Sequence, residues 1–232
     1  GPARLIATID ETFGIPIHHY VQLGFAGFGD LVELVDGVPV QFPRPARSED
    51  AGLVIGEPGC YTLGPHQALG FVRARTDFEV RDDDGDWHTD PRSDFSRVER
   101  QQLFMRLAVQ RAIEQGVRDP GTLRRLVDLG VESVRVDDAL ATDRLVDLGT
   151  RFRDFAPEEL VTHTLPVVDD LVNGMEVVRL VEDDAEPVLD LFRGVAPTTG
   201  IDPAEVTAQV LNGTGVDGQG GEVTQALIAH GF

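Results

Sequence analysis

Apolar residues recur at helical spacing in the first part of the chain. Four of them fall on one face of residues 3–13, and Gly14 follows where such a helix would end. A longer amphipathic pattern begins at Asp94 and ends at Gln115-Gly116. Shorter helices are predicted, in chain order, at residues 28–35, 64–71, 120–129, 137–148, 157–164, 184–193 and 221–229. The pattern predicts a chain rich in amphipathic helices, each of which needs a second layer to cover its apolar face.

Extended segments lie between these helices. Strands are predicted at residues 15–25, 38–42, 175–180 and 206–211. The Asp36-Gly37 pair marks a tight turn before the second of these strands. Residues 43–59 are rich in turn-forming residues and residues 76–93 are acidic, so both are predicted to be loops.

Length and turn composition indicate how the chain divides. A chain of 232 residues holds roughly one and a half domains. We therefore place a first domain at 1–194, a linker at 195–205 and the beginning of a second domain at 206–232. One strand and one helix cannot bury both their faces, so the second domain is interpreted as cut short. Gly1 in place of Met, without a signal peptide after it, predicts a processed chain or a piece of a longer one.

The charge balance excludes several classes of partner. Twenty basic residues, all Arg, against 40 acidic residues give a net charge of −20. Such a field disfavours nucleic acid and anionic lipid as general partners. No apolar run reaches the ~18 residues that a bilayer span requires. The one cysteine, Cys60, excludes an internal disulfide and a cysteine-based zinc site.

Arginines concentrate in two short segments of this acidic chain. Arg73 and Arg75 leave the same face if their segment is extended. Asp94, Arg97 and Gln101 share a face at the start of the long helix, with Arg100 on the adjoining edge. Guanidinium groups beside a helix N-terminus suit a multiply charged anion such as pyrophosphate. The alternative is ordinary surface ion pairing, which the spacing taken alone favours because acidic residues are abundant.

Several blocks of residues, in order, resemble the LytR-CpsA-Psr family of cell-envelope proteins. The blocks are Gly14–Val38, Leu63-Gly64, Gln67-Ala68-Leu69, Phe71–Arg75 (FVRAR) and Asp94-x-x-Arg97-x-x-Arg100-Gln101. Looser similarity reaches about residue 194. The segment from Val210 to Phe232 resembles the opening of the LytR C-terminal domain, which often follows in this family.

The resemblance implies an α/β fold in which helices flank a central mixed sheet, followed by a partial second α/β domain. It implies an extracytoplasmic, Mg²⁺-dependent phosphotransferase that moves a glycopolymer from a polyprenyl-pyrophosphate carrier to peptidoglycan. It assigns Arg73, Arg75, Asp94 and Arg97 to catalysis. It assigns Phe71, Arg100 and Gln101 to substrate binding. A single membrane helix and the metal ligands are expected in a preceding segment.

Two other functions stay open. One is a non-catalytic polyprenyl-phosphate-binding module, which would bind the lipid without turnover. The other is a transcriptional attenuator, as some relatives are named; the charge of −20 disfavours it, and salt-dependent DNA binding would support it. The acidic run Asp82–Asp86 lacks the Gly and Glu positions of an EF-hand and is interpreted as a solvated loop.

Overall fold

The structure is a computed structural model that describes residues 1–130, 134–152, 154–195, 210 and 219–229. The helices are α1 (Pro2–Phe13), α2 (Phe25–Leu34), α3 (Pro65–Arg73), α4 (Asp94–Glu114), α5 (Pro120–Gly130), α6 (Thr142–Arg151), α7 (Glu182–Arg193) and α8 (Gln219–Ala229), with a 3₁₀ turn at Pro157–Glu159. The strands are β1 (Val21–Leu23), β2 (Val38–Phe42), β3 (Ala46–Ser48), β4 (Leu53–Ile55), β5 (Gly59–Leu63), β6 (Glu79–Arg81), β7 (Trp87–Thr89), β8 (Val134–Val136), β9 (Val167–Val172) and β10 (Met175–Leu180). The chain forms two compact units: Gly1–Pro2 with Ile17–Thr164, and Ala3–Pro16 with Leu165–Phe232.

The core of the first unit lies between the β2–β5 ladder and helices α3 and α4. β2 and β5 are antiparallel, with Val38 opposite Leu63 and Val40 opposite Tyr61. The predicted turn is present: Asp36 and Gly37 have φ of 57° and 76°. A Cβ on Gly37 would lie 2.7 Å from Thr62 Cγ2, so both the dihedral and the space require glycine there. The largest fully buried apolar side chains among the described residues are Val38, Val40, Leu53, Ile55 and Leu63. Each stabilises the fold by about 1.5–3 kcal/mol relative to exposure.

A four-stranded antiparallel sheet, in the order β4-β3-β6-β7, corrects the prediction of loops at 43–59 and 76–93. Its strands are only three residues long, so they are too short to show a clear alternating pattern in the sequence. The alternation is nevertheless present in the fold, because the end residues of β3 and β4 are buried and their central residues are not. A polar contact joins the sheet to the next loop: Ser48 Oγ donates to Asp77 Oδ2 at 2.7 Å.

Three predicted elements of the first unit differ in extent from the structure. The strand expected at 15–25 is confined to β1, because α2 already begins at Phe25. The helix expected at 137–148 starts later, because Asp137 lies in a turn. The Asp137 carboxylate accepts the backbone N–H of Ala139 at 2.9 Å, which closes this turn, and it also accepts the backbone N–H of Tyr20 at 2.7 Å. The helix expected at 157–164 is only a 3₁₀ turn, at Pro157–Glu159.

The second unit contains α1, the β9–β10 hairpin and α7. β9 was not predicted. It pairs antiparallel with β10, and the two strands are connected by Asn173-Gly174, whose φ angles of 51° and 78° fit a type I′ turn. α1 and α7 are joined because Arg193 Nε donates to the carbonyl of Phe13 at 2.7 Å. Gly14, with φ of 66°, ends α1 as predicted.

The α/β class is confirmed, but the strands are arranged differently from the expected central mixed sheet. Within the described ranges they form four small antiparallel sheets: β1-β8, β2-β5, β4-β3-β6-β7 and β9-β10. The expected linker and the strand at 206–211 fall almost wholly outside the described residues, and α8 occupies the predicted helix at 221–229. No helix in the described part combines the length and apolarity that a membrane span needs.

Candidate anion-binding site at the start of helix α4

The end of α3 and the beginning of α4 carry the predicted site residues. The segment Phe71–Arg75 is helical as far as Arg73 rather than extended, and only Ala74, with φ of −48° and ψ of 134°, turns the chain away. Asp94 is the first residue of α4, so its carboxylate lies in the first turn, where the free N–H groups of the helix are. Two separate segments therefore bring charged side chains to this place.

Asp94 joins the two segments electrostatically. Arg75 Nε lies 3.0 Å and Arg97 Nη2 lies 2.9 Å from the same atom, Asp94 Oδ1. Asp94 Oδ1 and Arg97 Nε are both buried without an aligned hydrogen bond among the described residues, so the contacts are ion pairs rather than directed bonds. The side chains of all three remain partly exposed, and such pairs contribute at most about 1 kcal/mol each. Two guanidinium groups around one carboxylate leave an excess positive charge in a chain of net charge −20.

Arg73 is placed differently from Arg75. It is the last residue of α3, is exposed, and its guanidinium carbon lies 4.5 Å from the centre of the Phe25 ring. This cation–π contact holds the side chain at the beginning of α2 without neutralising its charge. Phe25 was not singled out as a partner of Arg73, because nothing in their spacing along the chain signals the contact.

Arg100 and Gln101 hold the α3 segment in place. Arg100 Nε donates to the carbonyl of Phe71 at 3.2 Å, and its Nη2 donates to the carbonyl of Ala74. Gln101 Nε2 donates to the carbonyl of Val72 at 3.0 Å. The last carbonyls of a helix have no partner within that helix, so α4 supplies the donors that α3 lacks. Both residues were predicted to bind substrate; in this structure their donors are used to position the chain that carries Arg73 and Arg75.

The Arg100 guanidinium is enclosed by the fold. It lies 4.1 Å above the ring of Phe78, and its Nη1 is 3.8 Å from Asp90 Oδ2. Burial lowers the pKa of Arg100 from its ordinary value, and the nearby Asp90 carboxylate opposes that shift. Asp90 and Phe78 were missed at the sequence level, since they lie in the segment interpreted as a loop.

Phe71, the third residue predicted to bind substrate, belongs to the core. It is buried and packs edge-to-face on Phe42, with the ring centres 5.5 Å apart. It also lines a cavity of about 320 Å³. Its contribution to the anion site is therefore to anchor α3 two residues before Arg73.

Other candidate residues take part in local hydrogen bonds. Asp82 accepts the N–H of Asp86 at 2.8 Å and lies 2.6 Å from His88 Nε2, which closes the turn between β6 and β7. The first of these bonds, with the contribution of His88, lowers the pKa of Asp82. No group of three or more His, Cys, Asp or Glu side chains in the described part of the chain is arranged to hold a metal ion.

Comparisons with known proteins point to one family. The profile of the LytR_cpsA_psr family matches residues 1–192. The chain is 27% identical over 248 aligned positions to the cell wall biosynthesis protein LcpA of Corynebacterium glutamicum, covering 100% of this chain and 45% of that protein. It is 27% identical over 176 positions to the polyisoprenyl-teichoic acid–peptidoglycan teichoic acid transferase TagU of Oceanobacillus iheyensis, covering 75% of this chain and 48% of that protein. The chain thus spans less than half the length of either relative.

A solved structure supports the fold. Bacillus subtilis TagV superimposes with a TM-score of 0.66 at 19% identity, covering 85% of this chain and 72% of that one. At this identity the likeness concerns the fold alone, whereas the profile match extends over most of the sequence. The chain belongs to the LytR-CpsA-Psr family.

Proposed function

We propose that this chain binds the diphosphate of a polyprenyl-pyrophosphate-linked glycopolymer and serves in the transfer of that polymer to peptidoglycan. The observation that carries the proposal is the meeting of Arg75 and Arg97, from two separate segments, at the carboxylate of Asp94. The printed activity of the TagU relative, a teichoic acid transferase acting on a polyisoprenyl-linked substrate, supports the same class of reaction.

The local charges favour a diphosphate as ligand. Arg75 and Arg97 carry two positive charges against the one negative charge of Asp94, and Arg73 adds a third positive charge two residues before Arg75. Arg97 Nε is buried and lacks a hydrogen-bond partner among the described residues, so one donor of this guanidinium is unused. Because the Asp94 pairs are partly exposed and weak, an incoming diphosphate can take over the two guanidinium groups at small cost.

The proposed chemistry is attack by a peptidoglycan sugar hydroxyl on the polymer-bearing phosphorus of the diphosphate. A P–O bond to the sugar forms, the P–O bond to the polyprenyl phosphate breaks, and the hydroxyl proton passes to the departing polyprenyl phosphate or to water. In phosphoryl transfer the protein contributes positioning and stabilisation of charge on the phosphate oxygens. Arg75 and Arg97 supply the stabilising donors. Asp94 orients them before the substrate binds, and Arg100 and Gln101 fix the chain on which Arg75 lies.

Mg²⁺ dependence is part of the proposal only through the family resemblance. Among the described residues, no group of three or more His, Cys, Asp or Glu side chains is arranged to hold the ion. The one carboxylate in the arginine cluster, Asp94, is already engaged by two guanidinium groups. No step of the mechanism is routed through a metal ion.

We further propose that the protein works at the outer face of the cell membrane, in cell-wall assembly, with peptidoglycan as the acceptor. The carrier is a membrane lipid, and the printed name of the LcpA relative places that protein in cell wall biosynthesis. A role as a transcriptional attenuator would require DNA binding, which a net charge of −20 opposes.

The binding step is tested by isothermal titration calorimetry with geranylgeranyl pyrophosphate and with inorganic pyrophosphate. Arg75→Gln and Arg97→Gln are each expected to weaken binding about tenfold or more, because a charge-assisted hydrogen bond contributes about 1.5–3 kcal/mol. The matched control is Arg106→Gln, an exposed arginine farther along α4. Equal loss in all three variants would indicate general attraction of anions and would reject the site.

A transfer assay separates the enzyme from a mere binding module. Release of polyprenyl phosphate with growth of the peptidoglycan-linked polymer is the expected result. Tight binding of the lipid diphosphate with no transfer would show that the protein is a non-catalytic polyprenyl-phosphate-binding module and not an enzyme.

A further inference from the structure

A cavity of about 320 Å³ opens beside α4, away from the arginine cluster just described. From α4 it is lined by Ser96, Glu99, Arg100 and Leu103. None of the residues assigned to the diphosphate, Arg73, Arg75, Asp94 and Arg97, is among the described residues that line it. The cavity therefore uses a different face of the helix from the one that carries Asp94 and Arg97.

The inner wall of the cavity is aromatic. Phe42, Phe71 and Phe78 line it and are all buried, and Val80 and Leu103 extend the apolar surface. The volume is about twice that of an apolar cavity known to hold benzene. A ligand that fills it therefore has roughly twelve non-hydrogen atoms. This size is that of a small molecule or a single side chain rather than of a long lipid tail.

The charges around the cavity do not cancel. Three arginines line it, Arg44, Arg92 and Arg100, against two carboxylates, Asp90 and Glu99. Arg92 is held by both oxygens of Glu99, at 2.7 and 2.8 Å, and Arg100 lies near Asp90. Arg44 is exposed and has no ion pair with any described carboxylate. The cavity thus has one positive charge in excess, in a chain whose net charge is −20.

A buried polar group in the wall also lacks a partner. Ser96 is 4% exposed, lines the cavity, and its hydroxyl forms no hydrogen bond within the described part of the chain. An unsatisfied buried hydroxyl costs about 1–3 kcal/mol, so native structures usually provide it with an acceptor. A ligand oxygen, or a water retained with the ligand, would supply one.

We propose that this cavity is a second binding site that takes a small apolar carboxylate, an aryl- or alkyl-substituted acid of about twelve non-hydrogen atoms. The carboxylate lies at the mouth and pairs with Arg44. The apolar part packs against Phe42, Phe71 and Phe78. The site does not depend on the proposed transfer reaction, because none of its charged groups belongs to the diphosphate cluster.

Three compounds of the same shape test the charge preference on the whole chain: 4-phenylbutyrate, 4-phenylbutanol and 4-phenylbutylamine, followed by ligand-observed NMR and calorimetry. The acid is expected to bind at least tenfold more tightly than the amine, with the alcohol between them. Arg44→Glu is expected to reverse the order of acid and amine. Equal affinity for all three compounds, or an unchanged order in Arg44→Glu, overturns the proposal.

Two further variants locate the ligand. Leu103→Trp, which fills the cavity from α4, is expected to abolish binding while circular dichroism shows an intact fold; retained binding places the ligand elsewhere. Arg97→Gln is expected to leave 4-phenylbutyrate affinity unchanged. If Arg97→Gln weakens it, or if geranyl pyrophosphate displaces the acid competitively, the cavity is part of the diphosphate site and the proposal of a second site is wrong.

Discussion

Arg97 and Arg100 lie one turn apart on the same helix, yet they are used in opposite ways. The Arg97 side chain is 33% exposed and its partner is the half-exposed carboxylate of Asp94. The Arg100 side chain is 9% exposed and donates to the carbonyls of Phe71 and Ala74. A guanidinium paired with an exposed carboxylate can exchange it for another anion, whereas one that satisfies buried carbonyls cannot be released without cost. Position on the helix, and not residue type, therefore separates a ligand-binding arginine from a structural one.

Replacement of the buried arginine gives the largest expected effect. Arg100→Met keeps an apolar stem, but it leaves the carbonyls of Phe71 and Ala74 without their donor and the carboxylate of Asp90 without its ion-pair partner. We expect the free energy of unfolding to fall by about 3–5 kcal/mol, as happens when one partner of a buried charged group is removed. Urea denaturation followed by circular dichroism measures it. A loss below 1 kcal/mol would mean that Arg100 is not structural.

Replacement of the exposed arginine, Arg97, is expected to affect activity more than stability. Arg97→Ala is expected to lower polymer transfer about a hundredfold, because it removes a donor that stabilises charge on the phosphate. Its effect on stability should stay below about 1 kcal/mol, as for other partly exposed ion pairs. A variant that transfers polymer at the wild-type rate would refute the role of Arg97.

Gln101 tests whether positioning can be separated from binding. Gln101→Ala removes one hydrogen bond to the carbonyl of Val72 and should destabilise the protein by about 1 kcal/mol. Diphosphate affinity should weaken only a few fold, and Gln101→Glu, which cannot donate this bond, should behave like Gln101→Ala. If Gln101→Ala abolishes binding at full stability, the amide contacts the ligand directly.

A carboxylate in the loop that precedes β6 gives the smallest effect. Burial acts to raise the pKa of Asp77, but bonds from the Ser48 hydroxyl and the Asp50 N–H outweigh it, so the pKa is lowered overall. A group with a lowered pKa stabilises the fold above its unfolded-state pKa, and this contribution is lost as the pH falls through the folded-state pKa. Wild type should therefore lose stability below about pH 4 more steeply than Asp77→Asn. Thermal melts from pH 7 to pH 2 compare them, and identical slopes would contradict the assignment.

Most of the helices were predictable from the sequence, whereas the helix at 157–164 and the short strands were not. α4 begins at Asp94 as predicted, and β2 and its preceding turn match residue for residue. The sequence did not predict the short strands β3, β4, β6 and β7, because a strand of three residues is too short to show an alternation of apolar and polar positions. It also did not predict β9, although Asn173-Gly174 is typical of a hairpin turn.

The arrangement within the site was only partly predictable. The meeting of Arg75 and Arg97 follows from two segments that carry arginines in an acidic chain, and the structure brings them to one carboxylate. The roles of Arg100 and Gln101 depend on which carbonyls at the end of α3 lack partners. That is a property of packing between helices, and residue spacing does not encode it.

A crystal structure of the chain with inorganic pyrophosphate tests the central claim most directly. The account predicts phosphate oxygens within about 3 Å of guanidinium nitrogens of both Arg75 and Arg97, with Arg100 still bonded to the carbonyls of α3. Pyrophosphate bound by Arg100, or at a place that neither Arg75 nor Arg97 reaches, would contradict it.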